Sequence, residues 1–235
     1  MDKRAFFSQL SLLQQLPPTA LDSLATQAHP LHPTKGTTLF TKDNKIHTTY
    51  FVVNGRVKLT RTTATGNEAI LEIVTGPDCI FTSLPLHDHY TTTAEALDDH
   101  TTLLTLPSTL LDQALQANPR AYQSLTLAMA DRLARQEGEI ERLMLQSTAQ
   151  RVGCYVLQLY RAQQSNTLVL DIEKASLASR LGMQPETLSR AINHLKKEVG
   201  LKVEGNHITL PDPQALAGYV CQQCSNLYPC QSKAF

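Results

Sequence analysis

Ala175-Ser-Leu-Ala-Ser-Arg-Leu-Gly182-Met-Gln-Pro-Glu-Thr-Leu-Ser-Arg190 is the stretch on which the reading of this chain turns. Leu177, Ala178 and Leu181 share the inward face of a short helix over 173–181. Gly182 then permits a tight turn with positive φ. Pro185 suits the first position of a new helix, with Gln184 as a weak N-cap. Helix, glycine turn, helix at this spacing is a helix-turn-helix.

The second helix runs from Pro185 to Val199 and sorts its residues by face. Leu188, Ile192, Leu195 and Val199 are spaced four, three and four and form the buried side. Glu186, Ser189, Arg190 and Asn193 lie on another face, with no apolar partner to serve. Arg190 can pair with guanine O6 and N7, and Glu186 can accept from a cytosine amino group. Gln184 and Thr187 flank these readers. Lys196, Lys197 and Lys202 supply charge for phosphates. Four basic and two acidic residues lie between Pro185 and Lys202. The partner these features imply is double-stranded DNA. Leu201–Val203 and His207–Leu210, joined at Glu204-Gly205-Asn206, add the hairpin of a wing.

Working towards the N-terminus, 148–163 reads as a further helix through Val152, Tyr155, Val156 and Leu159. Residues 119–147 read as one long helix with Pro119 in its first turn. Its stripe is Tyr122, Leu125, Met129, Leu133, Ile140, Leu143 and Ser147, with charged flanks, as a two-stranded helix interface requires. The chain is therefore expected to be a homodimer through 119–147. Residues 34–106 are Thr-rich, and short β-branched runs alternate with turns. Tyr50–Val53 and Val57–Thr60 flank Asn54-Gly55, a hairpin signal. Ala69–Val74, Thr91–Ala96 and Thr101–Leu106 are further strands, and the set predicts a small antiparallel roll. Residues 1–30 read as two short helices broken at Pro17-Pro18.

The fold class is thus α+β. A β-roll sensor domain spans 1–118, a dimerisation helix 119–147, a winged helix-turn-helix 148–213 and a cysteine-containing tail 214–235. The 235 residues carry 21 Lys+Arg and 21 Asp+Glu, so a net-basic coat protein and an acidic tail protein are excluded. No apolar run approaches the ~18 residues of a membrane span, and the first sixteen residues lack a signal-type apolar core. The expected compartment is the cytoplasm, with no membrane partner, and structural disulfides are not expected there. No phosphate loop, H-E-x-x-H or G-x-S-x-G occurs, so an enzyme is not expected.

Over most of its length the sequence resembles the Crp/Fnr family of bacterial transcription regulators. The roll segments Tyr50–Leu59 and Gly66–Gly76, the long helix and the helix-turn-helix come in that family's order. Pro185-Glu-Thr-Leu-Ser-Arg190 is similar to the Fnr and Dnr branches, which read inverted repeats with TTGAT-type half-sites. The resemblance implies Glu186, Ser189 and Arg190 as base readers, a dimer, and RNA polymerase as a partner. Members that bind cyclic nucleotides carry a Gly-Glu pair after the roll's Gly-Asp turn and a later Arg-Ser or Arg-Thr pair. Here Gly76-Pro-Asp-Cys-Ile-Phe81 lacks the Glu, and Tyr90-Thr-Thr-Thr-Ala94 lacks the Arg. Without a guanidinium for the cyclic phosphate, tight cAMP binding is not expected.

The tail offers another sensor. Cys221, Cys224 and Cys230 are three thiols within ten residues, adequate for an iron–sulfur cluster or for zinc. The arrangement looks like that of Fnr-type regulators of Gram-positive bacteria with a C-terminal cysteine cluster. A fourth ligand would come from Cys154, Cys79 or an acid such as Glu141. The alternative cofactor is haem in the roll, as in Dnr-like nitric-oxide sensors and the carbon-monoxide sensor branch. Its axial ligand would be His29, His32, His47, His87, His89 or His100.

Overall fold

The computed structural model describes residues 1–225, so Cys230 lies outside the described residues. The chain divides into two compact units, and the division falls inside the long helix between Arg132 and Leu133.

The first unit begins with α1 (Lys3–Gln9) and α2 (Pro18–Gln27). The Asp2 carboxylate caps α1 by accepting from the Ala5 amide at 3.0 Å. Eight strands follow: β1 (His29–Leu31), β2 (Thr38–Phe40), β3 (Thr48–Asn54), β4 (Arg56–Thr62), β5 (Glu68–Thr75), β6 (Asp78–Cys79), β7 (Thr93–Ala96) and β8 (Thr102–Pro107). They form two antiparallel sheets, ordered β1-β8-β3-β6 and β2-β7-β4-β5. The unit closes with α3 (Ser108–Gln116) and the start of α4 (Pro119–Leu145).

The period-two alternation of β3 and β8 explains the two cores. Val52 and Leu103 turn towards the second sheet and meet Phe40, Val57, Leu59 and Val74 inside the roll. Phe51, Leu104 and Leu106 turn the other way, into a core shared with Phe7, Leu13, Leu111 and Leu125 from the helices.

Two expectations from the sequence are corrected here. Asn54-Gly55 does not close a hairpin: β3 pairs with β6 and β8, whereas β4 pairs with β5 and β7. Gly55 is instead the corner at which the chain passes from one sheet to the other. Its φ is +82°, and a Cβ there would lie 2.7 Å from Thr101 Cα, so this glycine answers a close backbone approach. The second correction concerns Leu125. It is buried in its own unit with Ala121 and Ala128 and does not belong to an outward stripe.

The second unit contains the rest of α4, then α5 (Thr148–Gln163), β9 (Thr167–Val169), α6 (Lys174–Arg180), α7 (Pro185–Glu198), β10 (Lys202–Glu204), β11 (His207–Thr209) and α8 (Pro213–Val220). Ser147 and Gln150 make a reciprocal capping box that starts α5. The wing hairpin gains a third strand, in the order β10-β11-β9. Residues 214–220, read from sequence as part of a tail, are helical. Asp212 caps them, and Leu216, Ala217 and Val220 are buried.

α8 packs so closely on α5 that a Cβ at Gly153 would lie 2.6 Å from Val220 Cγ2 and 3.0 Å from Leu216 Cδ1. Gly153→Ala is therefore expected to destabilise the unit by about 1–3 kcal/mol through overpacking, despite the better helix propensity of alanine. Urea unfolding of the two chains measures this. A variant as stable as the parent would show that the α5–α8 contact is loose. No helix among the described residues is long and apolar enough to cross a membrane.

Candidate nucleic-acid interface

α6 is short and ends at a C-cap on Leu181. Gly182 follows with φ +65°, and Pro185 opens α7 after Gln184, whose side chain makes no cap bond. Leu188, Ala191 and Leu195 are buried, and Ile192 and Val199 are half-buried. They hold α7 against α5 and α6.

The opposite side of α7 is polar and exposed. At about 100° per residue, Glu186, Ser189, Arg190, Asn193 and Lys197 fall within an arc of about 100°. All five are exposed, as are Gln184 and Lys196, and Thr187 is half-buried at the edge. The face is shaped from within: Ser189 Oγ donates to the Pro185 carbonyl (3.1 Å) and Arg190 Nη2 donates to Thr187 Oγ1 (3.1 Å). The second bond steadies the guanidinium fork without satisfying it, since four other donors remain. Lys196 and Lys197 occupy the last turn, where cations suit the helix dipole. Lys202 is exposed at the start of the wing. An exposed helix that presents an acid, an amide, a hydroxyl and a guanidinium together, with lysines beyond, is fit to enter a major groove.

Two contacts that sequence reasoning missed tie the helix-turn-helix to its surroundings. His194 Nε2 and Tyr219 Oη are 3.0 Å apart, joining α7 to α8. Glu139 on α4 pairs with Arg180 on α6 and lies 3.7 Å from Arg142.

The tail cysteines start at the end of α8. Cys221 and Cys224 are half-buried. Ser225, the next residue, donates through its amide (2.7 Å) and its hydroxyl (2.8 Å) to the Glu141 carboxylate on α4. These two bonds lower the Glu141 pKa from its ordinary value. Of the candidate fourth ligands, Glu141 is thus the one whose carboxylate touches the cysteine segment. Cys154 is buried in α5, where Gln158 Nε2 approaches its sulfur at 3.9 Å. Cys79 is buried in the roll, and burial pushes its thiol pKa well up. Among the described residues, no three His, Cys, Asp or Glu side chains are grouped to hold a metal ion.

In the roll, Thr82 and Thr92 hydrogen-bond to each other at 3.0 Å. Arg61, from β4, donates to the Thr91 carbonyl at 3.1 Å, so a guanidinium does reach the threonine stretch, from a strand that the sequence motif does not include. Arg132 pairs with both carboxylate oxygens of Glu72 and lies over the Phe81 ring, 5.2 Å from its centroid. His29, His32, His47, His87, His89 and His100 are all exposed. His47, His87 and His89 line one open pocket of about 620 Å³ with Lys45, Asp88 and Asp112.

Two family models match the chain. A Crp-like helix-turn-helix domain covers residues 150–219, and a cyclic nucleotide-binding domain covers residues 31–118. The chain is 25% identical over 220 residues to the CRP-like cAMP-activated global transcriptional regulator of Mycobacterium tuberculosis, covering 89% of this chain and 96% of that one. It is 24% identical over 202 residues to the fumarate and nitrate reduction regulatory protein of Escherichia coli K12, covering 84% and 80%. A solved regulatory protein from Silicibacter pomeroyi DSS-3 is 30% identical, with 93% of this chain and 98% of that one covered and a TM-score of 0.62.

Proposed function

The chain belongs to the Crp/Fnr family of DNA-binding transcription regulators, and we propose that it reads TTGAT-like inverted repeats as a homodimer, with an iron–sulfur cluster on its C-terminal cysteines as sensor of oxygen, nitric oxide or redox state. The observation that carries the reading of DNA is the exposed polar arc of α7, which runs from Ser189 to Arg190 with Glu186 between them. Gln184, Thr187 and Asn193 extend the contact to bases, and Lys196 and Lys197 to phosphates.

The dimer rests on α4. Tyr122, Thr126, Met129, Leu133, Gln136, Ile140, Leu143 and Ser147 alternate at spacings of four and three, and all are exposed. This is the four-three spacing of a two-stranded seam, with Thr126, Gln136 and Ser147 as polar positions among the apolar ones. Two such helices place two recognition helices about one DNA turn apart. RNA polymerase is the protein through which such a regulator acts.

The donors at the tail fit a cluster. Cys221 and Cys224 are partly accessible, and Glu141 already contacts the residue beside Cys224. With Cys230 these give three soft ligands and one carboxylate. When bound, a cluster supplies a centre that oxygen and nitric oxide attack. The roll does not serve cAMP in this reading, because Gly76–Phe81 lacks the Glu and Tyr90–Ala94 lacks the Arg that cyclic-nucleotide binders carry, and Arg61 is held on the Thr91 carbonyl. Haem is the second reading: His47, His87 and His89 stand together on one open pocket and are the histidines that could supply an axial ligand.

An anaerobic visible spectrum of the iron- and sulfide-loaded chain separates these. A broad shoulder that bleaches in air and is absent from Cys224→Ser is expected. A sharp Soret band would replace the cluster by haem. A colourless chain that binds its operator tightly would remove both.

A further inference from the structure

The segment between α4 and α7 contains one side chain that holds several backbone groups together. Arg151, in the first turn of α5, is half-buried. Its Nε donates to the Leu181 carbonyl at 3.0 Å, and its Nη2 lies 3.5 Å from the Gly182 carbonyl. Its Nη1 donates to the Gln146 carbonyl at 3.1 Å and lies 3.4 Å from the Leu143 carbonyl. Leu143 lies in the last turn of α4 and Gln146 directly after it, and Leu181 and Gly182 directly follow α6, with Leu181 as its C-cap. The last carbonyls of a helix have no partner within it and carry the negative end of the dipole. One guanidinium therefore serves the C-terminal ends of two helices at once, which only a planar fork of five donors can do.

Leu143 adds a second tie. Its Cδ2 lies 2.8 Å from where a Cβ of residue 182 would stand. The helix-turn-helix turn thus packs under Leu143, and Leu143 also belongs to the exposed 4-3 seam of α4. α7 starts three residues beyond Gly182. The pairing of Arg180 with Glu139 holds α6 to α4 on the same side.

We infer that Arg151 is a positioning residue for DNA recognition: by clamping the Leu181–Gly182 turn to the Leu143–Gln146 end of α4, it fixes the angle at which each recognition helix leaves the dimer helix. Arg151 itself touches no base. The inference rests on the proposed reading of DNA by a dimer, and it adds the element that sets the spacing of the two reading heads. Lysine cannot replace it, because an ammonium on a flexible stem reaches one end or the other but does not span both.

The test uses the full chain and a duplex selected by the wild-type chain from a randomised pool. Arg151→Ala and Arg151→Lys are compared with wild type for mass, for affinity towards random duplex, and for affinity towards the selected duplex. Copies of that duplex with one or two base pairs inserted between the half-sites complete the set. Should Arg151→Ala fail to fold, Arg151→Lys, which keeps the charge and the stem, reads the same quantities.

The expected result is an unchanged dimer and unchanged affinity for random duplex. Affinity for the selected duplex falls by about 5- to 150-fold, the usual range of coupling between sites. The preference for half-sites one turn apart, about 10–10.5 base pairs, flattens. A merely structural role would lower affinity for every duplex alike and leave the spacing preference intact, and that result overturns the inference. Wild-type affinity and spacing preference in Arg151→Lys overturns it too. A wild-type chain that selects no sequence at all removes the DNA reading, and this inference falls with it.

Discussion

Arg190→Ala weakens binding to the selected duplex by about 1–3 kcal/mol, roughly 5- to 160-fold, and relaxes the preference at one G·C pair in each half-site. The size follows from geometry. Arg190 is exposed at one edge of the α7 arc, next to Thr187, and among the described residues one of its donors is engaged, with Thr187 Oγ1. Its fork therefore reaches solvent already steadied, and in the proposed reading it meets O6 and N7 of one guanine. Alanine leaves both acceptors without a partner in a desolvated interface. The loss should concentrate at a single position, and affinity for random duplex should change little. Lys196 and Lys197 behave in the opposite way: replacing either weakens all duplexes about equally and reduces the salt slope by about one. Anisotropy titrations on the selected duplex, on single-base variants and on random duplex give the comparison. If Arg190→Ala binds every duplex as the parent does, α7 is not the reading helix.

The helix-turn-helix was legible because its signals are local. Gly182 and Pro185 punctuate the chain, and the four-three-four spacing of Leu188, Ile192, Leu195 and Val199 states which side is buried. The same locality misled at Gly55. Asn-Gly between two β-branched runs is a strong hairpin signal, yet β3 and β4 belong to different sheets. The glycine is demanded by Thr101, 46 residues later, and no local pattern carries that information. α8 was missed for a related reason. Two prolines close together, Pro211 and Pro213, punctuate the chain like the end of a domain, whereas Pro213 sits in the first turn of a helix capped by Asp212. Gly153 was the available clue, a residue without a side chain on the apolar face of a helix, but only the positions of Leu216 and Val220 give it meaning. Arg151 carries no motif at all, since its partners are backbone carbonyls. The Glu141–Ser225 contact joins residues 84 positions apart, and although sequence reasoning named Glu141 as a candidate ligand, only the fold brings it to the cysteine segment. Leu125 shows the limit of periodicity. A three-four stripe fits several registers of one helix, and the roll decides which face remains outside.

That last point fixes the outcome of breaking the seam. Leu133→Glu should convert the chain to a folded monomer and lower affinity for the selected duplex by about 10²–10⁴-fold, the usual avidity gain of linking two binding modules. Leu133 is 58% exposed in the single chain, so a glutamate there costs the monomer little. In a paired seam it sits between Met129 and Gln136, facing its own counterpart. Two carboxylates would then have to be buried together, without a cation among the seam residues to pair with them. The monomer keeps its α7 arc and its lysines, so binding to random duplex persists at the level of one reading head. Sedimentation equilibrium reads the mass, and far-UV circular dichroism shows that the helices remain. Leu127→Glu is the control: Leu127 is equally exposed, at 62%, but lies off the four-three register, so its replacement should leave both mass and affinity unchanged. If Leu133→Glu stays dimeric while Leu127→Glu falls apart, the chains pair through a different face of α4. The spacing of two recognition helices would then have to be derived from that face.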